Sequence, residues 1–270
     1  MVYGGLVVGV WLWVLMGNLA DSLLLFPSTH PLAADHGQTI AYGDGTLHMA
    51  AWWPGARADG ALPEGPEVSV AVVHFTGNGS RAEEDILALR RQWNRPGVVV
   101  FAVNYPGYGA SSGPARLREI VPAARAAAAH VRGRYPGARL IGSGNSIGCT
   151  AVLRLAAEGL VDGLVLVNPP PLHRIILRQH GWWNLWVLAG PVSMMVPQEL
   201  NALRSAPLAV VPAVMLTARN DEIVGVAHQD AVAQAYGGRL TRLYHDGGHN
   251  DLPLDTSIAL REAIEQMLAE

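Results

Sequence analysis

The chain has 270 residues and a mass of 28.7 kDa, a length typical of a single domain. Hydrophobic residues make up 50% of the chain and charged residues only 15%, which is enough apolar material for a large buried core. The net charge of −3 and the pI of about 6.4 provide no basic field for nucleic acid. All 19 basic residues are arginine, so mechanisms that need a lysine, such as Schiff-base chemistry, are excluded.

The N-terminal segment is apolar. Residues 1–20 carry no charged side chain, but a bilayer span needs about 20 apolar residues, a length that this stretch reaches only marginally. We interpret residues 1–26 as a hydrophobic membrane anchor, and its orientation is open because no arginine precedes Arg57. The alternatives are a cleaved signal peptide, which would make the protein secreted or periplasmic, and a helix docked on the protein's own core or on a partner.

Strands and helices are predicted to alternate through residues 38–270, which we interpret as one domain. Such alternation predicts a mostly parallel sheet covered by helices on both faces. The predicted strands are 38–42, 46–53, 68–75, 98–103, 139–141, 164–167, 212–217 and 239–244, and the predicted helices are 81–93, 120–134, 147–157 and 226–236.

A glycine-rich turn follows the third strand. Residues 76–80 read Thr-Gly-Asn-Gly-Ser, and such a turn lets backbone N–H groups point at a developing negative charge. We favour the N–H of Asn78 as the donor, with Gly77 and Gly79 as near alternatives. The other interpretation is a tight strand-to-helix turn without a chemical role. A phosphate loop is excluded because the chain contains no lysine.

The strand at 139–141 leads into the pattern Gly144-x-Ser146-x-Gly148. In a nucleophile elbow of this kind the serine occupies a strained turn, and its Oγ is exposed at the end of the sheet. Ile147, the next residue, would supply a second N–H to an oxyanion. Cys149 is the single cysteine, so no intrachain disulfide can form. We interpret it as a small core residue rather than as a second nucleophile.

The alternation breaks between the strands at 164–167 and 212–217. Residues 169–207 form a predicted insertion that is rich in large apolar side chains, namely Trp182, Trp183, Trp186, Val187, Leu188, Met194 and Met195. Two interpretations have equal support. The insertion is either a lid that provides an apolar acyl pocket, or one or two ordinary helices whose apolar face is buried.

An acid and a histidine follow the serine in chain order. Asp221 lies in a polar loop after the strand at 212–217, and His249 lies in a glycine-flanked loop after the strand at 239–244. Since the carboxyl ends of parallel strands share one edge, Ser146, Asp221 and His249 are expected to meet there. Together they provide a nucleophile, a base that takes its proton and a carboxylate that orients the base.

Other side chains near His249 are less suitable for these roles. Asp246 and Asp251 are too close in sequence to His249 to come from a separate strand end, and we interpret Asp251 as the cap of a turn. His245 is interpreted as a solvated or structural residue. No metal site is expected, because the histidines at 245 and 249 lie in a glycine-containing loop and the chain has no Cys/His cluster with zinc spacing.

Four segments resemble the α/β-hydrolase superfamily. Residues 75–79 are similar to its oxyanion loop, residues 104–113 to the glycine-rich loop after its fourth strand, residues 144–148 to its elbow and residues 247–251 to its histidine loop. More narrowly, the chain resembles the small, N-terminally anchored serine hydrolases that include acyl-protein thioesterases. Histidine is usual in that group directly before the oxyanion glycine, and histidine, glutamate or tyrosine is common directly before the nucleophile.

Two residues depart from this pattern and bear on substrate preference, Thr76 before the oxyanion glycine and Asn145 before the nucleophile. The resemblance implies the α/β-hydrolase fold, with a short lid insertion, and a serine esterase or thioesterase. We expect it to cleave small-molecule or lipid esters with apolar acyl groups through an acyl-enzyme, without a cofactor. The alternatives are a peptidase or amidase on the same residues, and a catalytically silent, membrane-tethered interaction module. The sequence leaves the oligomeric state open.

Overall fold

One eight-stranded sheet organises the molecule. The computed structural model of the chain describes residues 20–29, 37–55, 61–180 and 189–269. In these residues the strands follow the order β1-β2-β4-β3-β5-β6-β7-β8. Strand β2 pairs antiparallel with both β1 and β4, whereas every other neighbouring pair is parallel. The carboxyl ends of the parallel strands therefore lie at one edge of the sheet.

The described elements follow the predicted order. The strands are β1 (Gln38–Tyr42), β2 (Gly45–Trp52), β3 (Val70–Phe75), β4 (Val98–Val103), β5 (Arg139–Asn145), β6 (Gly163–Val167), β7 (Ala213–Ala218) and β8 (Leu240–His245). The helices are α1 (Ala82–Trp93), α2 (Leu117–Arg134), α3 (Gly148–Ala157), α4 (Leu172–Ile175), α5 (Ala189–Met195), α6 (Ala202–Ser205), α7 (Val226–Ala235) and α8 (Leu254–Ala269).

Apolar side chains alternate between the two faces of the sheet. On one face, Val72 and Ile141 pack with residues of α1 and α8, including Trp93 and Ile264. The other face forms a larger cluster that takes in buried residues of α2 and α3. Burial on both faces explains why the central strands read as continuous apolar runs.

Two elements differ from the sequence prediction. The strand predicted at 139–141 continues to Asn145, because Ser143 and Gly144 pair with β3 and β6 on either side. Ladder hydrogen bonds to two central neighbours thus outweigh the poor strand preference of glycine. The C-terminal helix α8 is not among the predicted elements, and it buries Leu260 and Ile264.

The end of the N-terminal segment packs on the sheet domain. Residues 20–24 are helical, and Ala20 and Leu25 are buried in the larger cluster. The carboxylate of Asp21 accepts a hydrogen bond from the N–H of Leu117 at the start of α2, with a distance of 2.8 Å. The rest of the predicted anchor, residues 1–19, lies outside the described residues. Within the described part of the chain, no helix is long and apolar enough to cross a membrane.

The insertion after β6 is helical where the structure describes it. Its buried residues Val192, Val196 and Leu200 belong to the larger apolar cluster, so this part packs on the domain as ordinary helices do. Met194 is 83% exposed. The predicted tryptophans at 182, 183 and 186 lie outside the described residues.

Candidate functional site

Ser146 lies in a strained turn between β5 and α3. Its φ of +49° is in the left-handed region that non-glycine residues avoid, at a cost of about 1–3 kcal/mol. The N–H of Ser146 donates to the carbonyl of Val167 on β6 at 2.8 Å, which holds the turn.

The glycines on either side make this turn possible. A Cβ on Gly144 would lie 2.6 Å from the carbonyl carbon of Gly148, and a Cβ on Gly148 would overlap the carbonyl oxygen of Phe75. The elbow predicted from the sequence is therefore present in the backbone.

Asp221 is buried and holds His249. Its Oδ2 accepts a 2.7 Å hydrogen bond from Nδ1 of His249, and both side chains are almost fully excluded from solvent. The Oδ1 accepts hydrogen bonds from the N–H groups of Ile223 and Val224, at 2.9 and 2.6 Å. This arrangement fixes the imidazole so that the Nε2 is the nitrogen left for chemistry.

Two residues that the sequence analysis did not single out support this pair. Gln229, on α7, is fully buried and its Nε2 donates to Oδ2 of Asp221 at 2.9 Å. Asn168, directly after β6, has a φ of +51° and is fully buried. Its Nδ2 donates to the carbonyl of His249 at 2.8 Å, and its Oδ1 accepts from the N–H of Ala218 at 3.0 Å. Asn168 could have been found from the sequence, because it is a polar residue directly after the strand predicted at 164–167.

Ser146 and His249 line the same cavity, which has a volume of about 460 Å³. Among the hydrogen bonds of the described residues, none joins the Oγ of Ser146 to His249. Such hydrogen bonds are often long before the substrate binds and shorten in the complex.

The turn after β3 borders this cavity. Gly77 and Asn78 both line it, whereas the third candidate donor, Gly79, adopts a φ of +79° and is not among the lining residues. Ile147 is the N-terminal cap of α3 and is buried. In the hydrogen bonds of the described residues, neither the N–H of Asn78 nor that of Ile147 is a donor.

The side chain of Asn78 fastens this turn to the N-terminal segment. Its Oδ1 accepts from the N–H of Phe26 at 2.9 Å, and its Nδ2 donates to the carbonyl of Leu24 at 2.8 Å. The phenol of Tyr108 also donates to Oδ1, at 3.0 Å. Burial raises the pKa of Tyr108 to about 12, so its hydroxyl stays protonated and remains a donor.

The loop at 104–113 contacts the start of α1 and the turn at 76–80. The amide of Asn104 caps α1, since its Oδ1 accepts from the N–H of Ala82 at 2.9 Å. The phenol of Tyr105 donates to the carbonyl of Thr76. Gly109 has a φ of +52° and a Cβ there would collide with the amide of Asn104. The loop therefore fixes the turn that carries Asn78.

The competing side chains lie elsewhere or are inert. Asp246 is exposed and pairs with Arg219 at 3.2 Å. Asp251 accepts from the N–H of Gly248, closing the turn that contains His249. His245 is buried and its Nδ1 accepts from the N–H of Gly247, a structural contact. Cys149 is fully buried, and burial raises the pKa of its thiol well above the ordinary value.

The described residues contain no group of three or more histidine, cysteine, aspartate or glutamate side chains that could hold a metal ion.

Both apolar and polar side chains line the cavity, and the apolar ones include Ala88, Leu89 and Val167. None of the described residues of the insertion lines it. Its mouth carries the apolar side chains of Phe26, Ile223 and Leu252, but one wall is polar and consists of His74, Ser80, Asp85, Ser143 and Asn145.

Comparisons with known proteins identify the architecture. Neither a protein-family model nor a curated protein matches the sequence. Solved structures do match. An esterase from Pyrococcus furiosus superposes with a TM-score of 0.66 and 15% identity, covering 91% of this chain and 97% of that one. Est1E from Butyrivibrio proteoclasticus gives a TM-score of 0.68 and 16% identity over 87% of this chain and 99% of that one. An α/β serine hydrolase homologue from Coxiella burnetii gives a TM-score of 0.60 and 16% identity, covering 88% of this chain and 100% of that one. At these identities the similarity shows the fold.

Proposed function

On the α/β-hydrolase fold that this chain adopts, we propose that the protein is a serine hydrolase that cleaves carboxylic esters or thioesters through Ser146, His249 and Asp221. The single observation that carries the proposal is the buried hydrogen bond of 2.7 Å between Asp221 and His249, at a cavity that Ser146 also lines from a strained elbow. A serine on a strained turn and an oriented imidazole at one cavity supply the nucleophile and the base of nucleophilic catalysis.

In the first step, Oγ of Ser146 attacks the carbonyl carbon and its proton passes to Nε2 of His249. A C–O bond forms, and the electron pair of the carbonyl π bond moves to the oxygen. Asp221 stabilises the imidazolium that results and does not itself take the proton. Hydrogen bonds from the N–H groups of Ile223 and Val224 hold the carboxylate in place.

The oxyanion is held by the N–H groups of Asn78 and Ile147 in this proposal. Support comes from the position of Asn78 in the cavity wall and of Ile147 at the N-terminus of α3, where the helix dipole favours negative charge. One such donor contributes about 3–4 kcal/mol to transition-state stabilisation in other hydrolases.

In the second step the tetrahedral intermediate collapses and the bond to the leaving group breaks. His249 gives its proton to the leaving oxygen or sulfur, and an acyl-enzyme remains on Ser146. Water then attacks the acyl carbon while His249 acts again as base, which releases the acid and restores the serine. The proton that leaves with the leaving group is replaced by one from water, which His249 passes to Oγ of Ser146, so the cycle needs no cofactor.

The test is hydrolysis of p-nitrophenyl esters from acetyl to palmitoyl by the full chain, with Ser146→Ala as the inactive variant and Ser257→Ala on α8 as a matched control. The full chain is used because Phe26 lines the cavity and its N–H donates a hydrogen bond to the side chain of Asn78. We expect turnover that disappears in Ser146→Ala alone. A parallel assay of ethyl butyrate and S-ethyl thiobutyrate separates ester from thioester preference. Absence of turnover on every substrate would contradict the proposal.

We also propose that the protein acts at a lipid surface to which its N-terminal segment attaches it. The support is the absence of charge from residues 1–20 and the apolar mouth of the cavity, where Phe26 is 61% exposed. Flotation of the full chain with neutral phosphatidylcholine vesicles tests this, and we expect the protein to float with them. Recovery in the vesicle-free fraction would contradict attachment.

A further inference from the structure

A second set of serine, histidine and aspartate side chains lies within the polar wall of the cavity. Nδ1 of His74 on β3 is 2.9 Å from Oγ of Ser143 on β5. Nε2 of His74 donates to Oδ2 of Asp85 on α1 at 3.1 Å. The hydroxyl of Ser80 donates to the other oxygen of Asp85 at 2.6 Å. We call these four residues the polar wall; all of them line the cavity that contains Ser146.

The polar wall replaces apolar packing where the cavity begins. Two residues earlier on the same strands, Val72 and Ile141 are fully buried in the apolar cluster beneath α1 and α8. Because side chains two apart point to the same face, His74 and Ser143 continue that stripe. The polar side chains of this wall hydrogen-bond one another, and nothing in the proposed acyl transfer uses them.

Asn145 extends this stripe to the nucleophile. It is the next residue on that face of β5 after Ser143, and it directly precedes Ser146. Its Oδ1 is buried and has no hydrogen-bond partner among the described residues. Its Nδ2 lies 3.5 Å from the position that a Cβ of Gly77 would occupy, so the amide stands beside the turn of Asn78. A half-buried amide thus borders the cavity, and its buried oxygen has no partner in the part of the chain that the structure describes.

Ser143 is not a second nucleophile. It lies inside a regular strand, where both neighbouring strands pair with it, and it is 2% exposed. The left-handed φ that presents Ser146 is absent from Ser143. A binding role therefore fits the polar wall better than a catalytic one.

We propose that Asn145 and the polar wall bind a hydroxyl-bearing group of the substrate close to the scissile carbonyl. This rests on the proposed function and names its substrate class. A hydroxyl both donates and accepts, and so matches Oδ1 and Nδ2 of Asn145. An apolar group would leave Oδ1 buried without a partner. The carboxylate of Asp85 in the same wall disfavours an anion.

The experiment measures kcat/KM for two pairs of substrates that differ by replacing hydroxyl with methyl. In the acyl pair, p-nitrophenyl 3-hydroxybutyrate is compared with p-nitrophenyl 3-methylbutyrate. In the alcohol pair, glycerol 1-butyrate is compared with 2-methylbutyl butyrate, in which methyl groups replace both free hydroxyls. The full chain is expected to prefer the hydroxylated member of at least one pair by roughly tenfold, the value of one well-made hydrogen bond.

Variants assign the preference to these residues. Asn145→Leu keeps the shape of the side chain and is expected to bring the ratio of the two kcat/KM values close to one. Ser143→Ala, the second variant, is expected to reduce it by roughly threefold. The matched control is Glu84→Gln, an exposed carboxylate beside Asp85 on the same helix, which should leave the ratio unchanged.

Two results would overturn the proposal. One is a ratio near one for both pairs while both members are hydrolysed. The other is a preference for the hydroxylated member that survives both Asn145→Leu and Ser143→Ala. If no ester is hydrolysed and a fluorophosphonate does not label Ser146, then the proposed function itself is overturned, and this inference falls with it.

Discussion

The described residues contain two clusters of serine, histidine and aspartate whose serines are three positions apart in the chain, and the clusters differ in backbone rather than in composition. Ser146 stands on a turn with φ +49°, whereas Ser143 lies within β5 and pairs with two strands. The aspartates differ too. Asp221 accepts two backbone N–H groups in addition to His249, while Asp85 accepts from Ser80 and His74. Because both serines line the same cavity, the strained turn is the feature on which our proposal of Ser146 as the nucleophile depends.

The histidines should give the largest contrast. His249→Gln is expected to lower kcat on p-nitrophenyl butyrate by roughly 10⁵-fold or more, since loss of the base costs about that much in other triad enzymes. His74→Gln should cost no more than about tenfold, because it removes only wall hydrogen bonds. Steady-state kinetics with active-site titration provides the measurement. Comparable losses of kcat in both variants would mean that the two clusters do not differ in catalytic role.

The aspartates should give the next largest contrast. Asp221→Asn retains the shape but removes the charge that orients His249, and we expect kcat to fall about 10⁴-fold. For Asp85→Asn we expect at most a tenfold change on the same substrate. Thermal unfolding of both variants checks that each is folded. A small effect of Asp221→Asn would show that another acid, such as Asp246, orients the imidazole.

A smaller effect tests how Asp221 is positioned. Gln229→Leu removes a hydrogen bond to the carboxylate that has no counterpart at Asp85. We expect kcat to fall by roughly tenfold with KM unchanged, the signature of a positioning residue. Gln234→Leu, an exposed glutamine on the same helix, is the matched control. A change confined to KM would count against a role through Asp221.

The smallest effect concerns Cys149, whose buried thiol lies three residues after Ser146. Because burial raises the pKa of its thiol, almost no thiolate exists at pH 8. Iodoacetamide is therefore expected to leave the folded protein unmodified and fully active, and to alkylate Cys149 after unfolding in guanidinium. Intact-mass spectrometry measures this. Rapid alkylation of the folded chain would mean that the thiol is reactive.

Much of the architecture could be predicted from the sequence. The mostly parallel sheet with helices on both faces is confirmed. It could be predicted because central strands such as 98–103 are apolar on both faces. The end of β5 was mispredicted because Gly142, Ser143 and Gly144 have poor strand preference, and only their pairing partners extend the strand. Helix α8 was missed although Leu260, Ala263, Ile264 and Met267 recur at the spacing i, i+3, i+4, i+7 that is typical of an amphipathic helix.

The candidate site could be predicted where chain order carries the signal. Ser146, Asp221 and His249 each follow a strand, and the structure joins two of them by a hydrogen bond and places the first at the same cavity; their catalytic roles stay a prediction. The polar wall could not be predicted. His74 and Ser143 look like isolated polar residues in apolar strands, and their partner Asp85 lies on a helix. Such a wall depends on strand register, which local sequence does not encode.

Labelling with a fluorophosphonate, followed by peptide mapping, tests the central claim most directly. Both Ser146 and Ser143 fall within one short stretch, so fragmentation must place the adduct between them. We expect one adduct, on Ser146, which disappears in Ser146→Ala and persists in Ser143→Ala. An adduct on Ser143, or no adduct on the folded full chain, would contradict this claim.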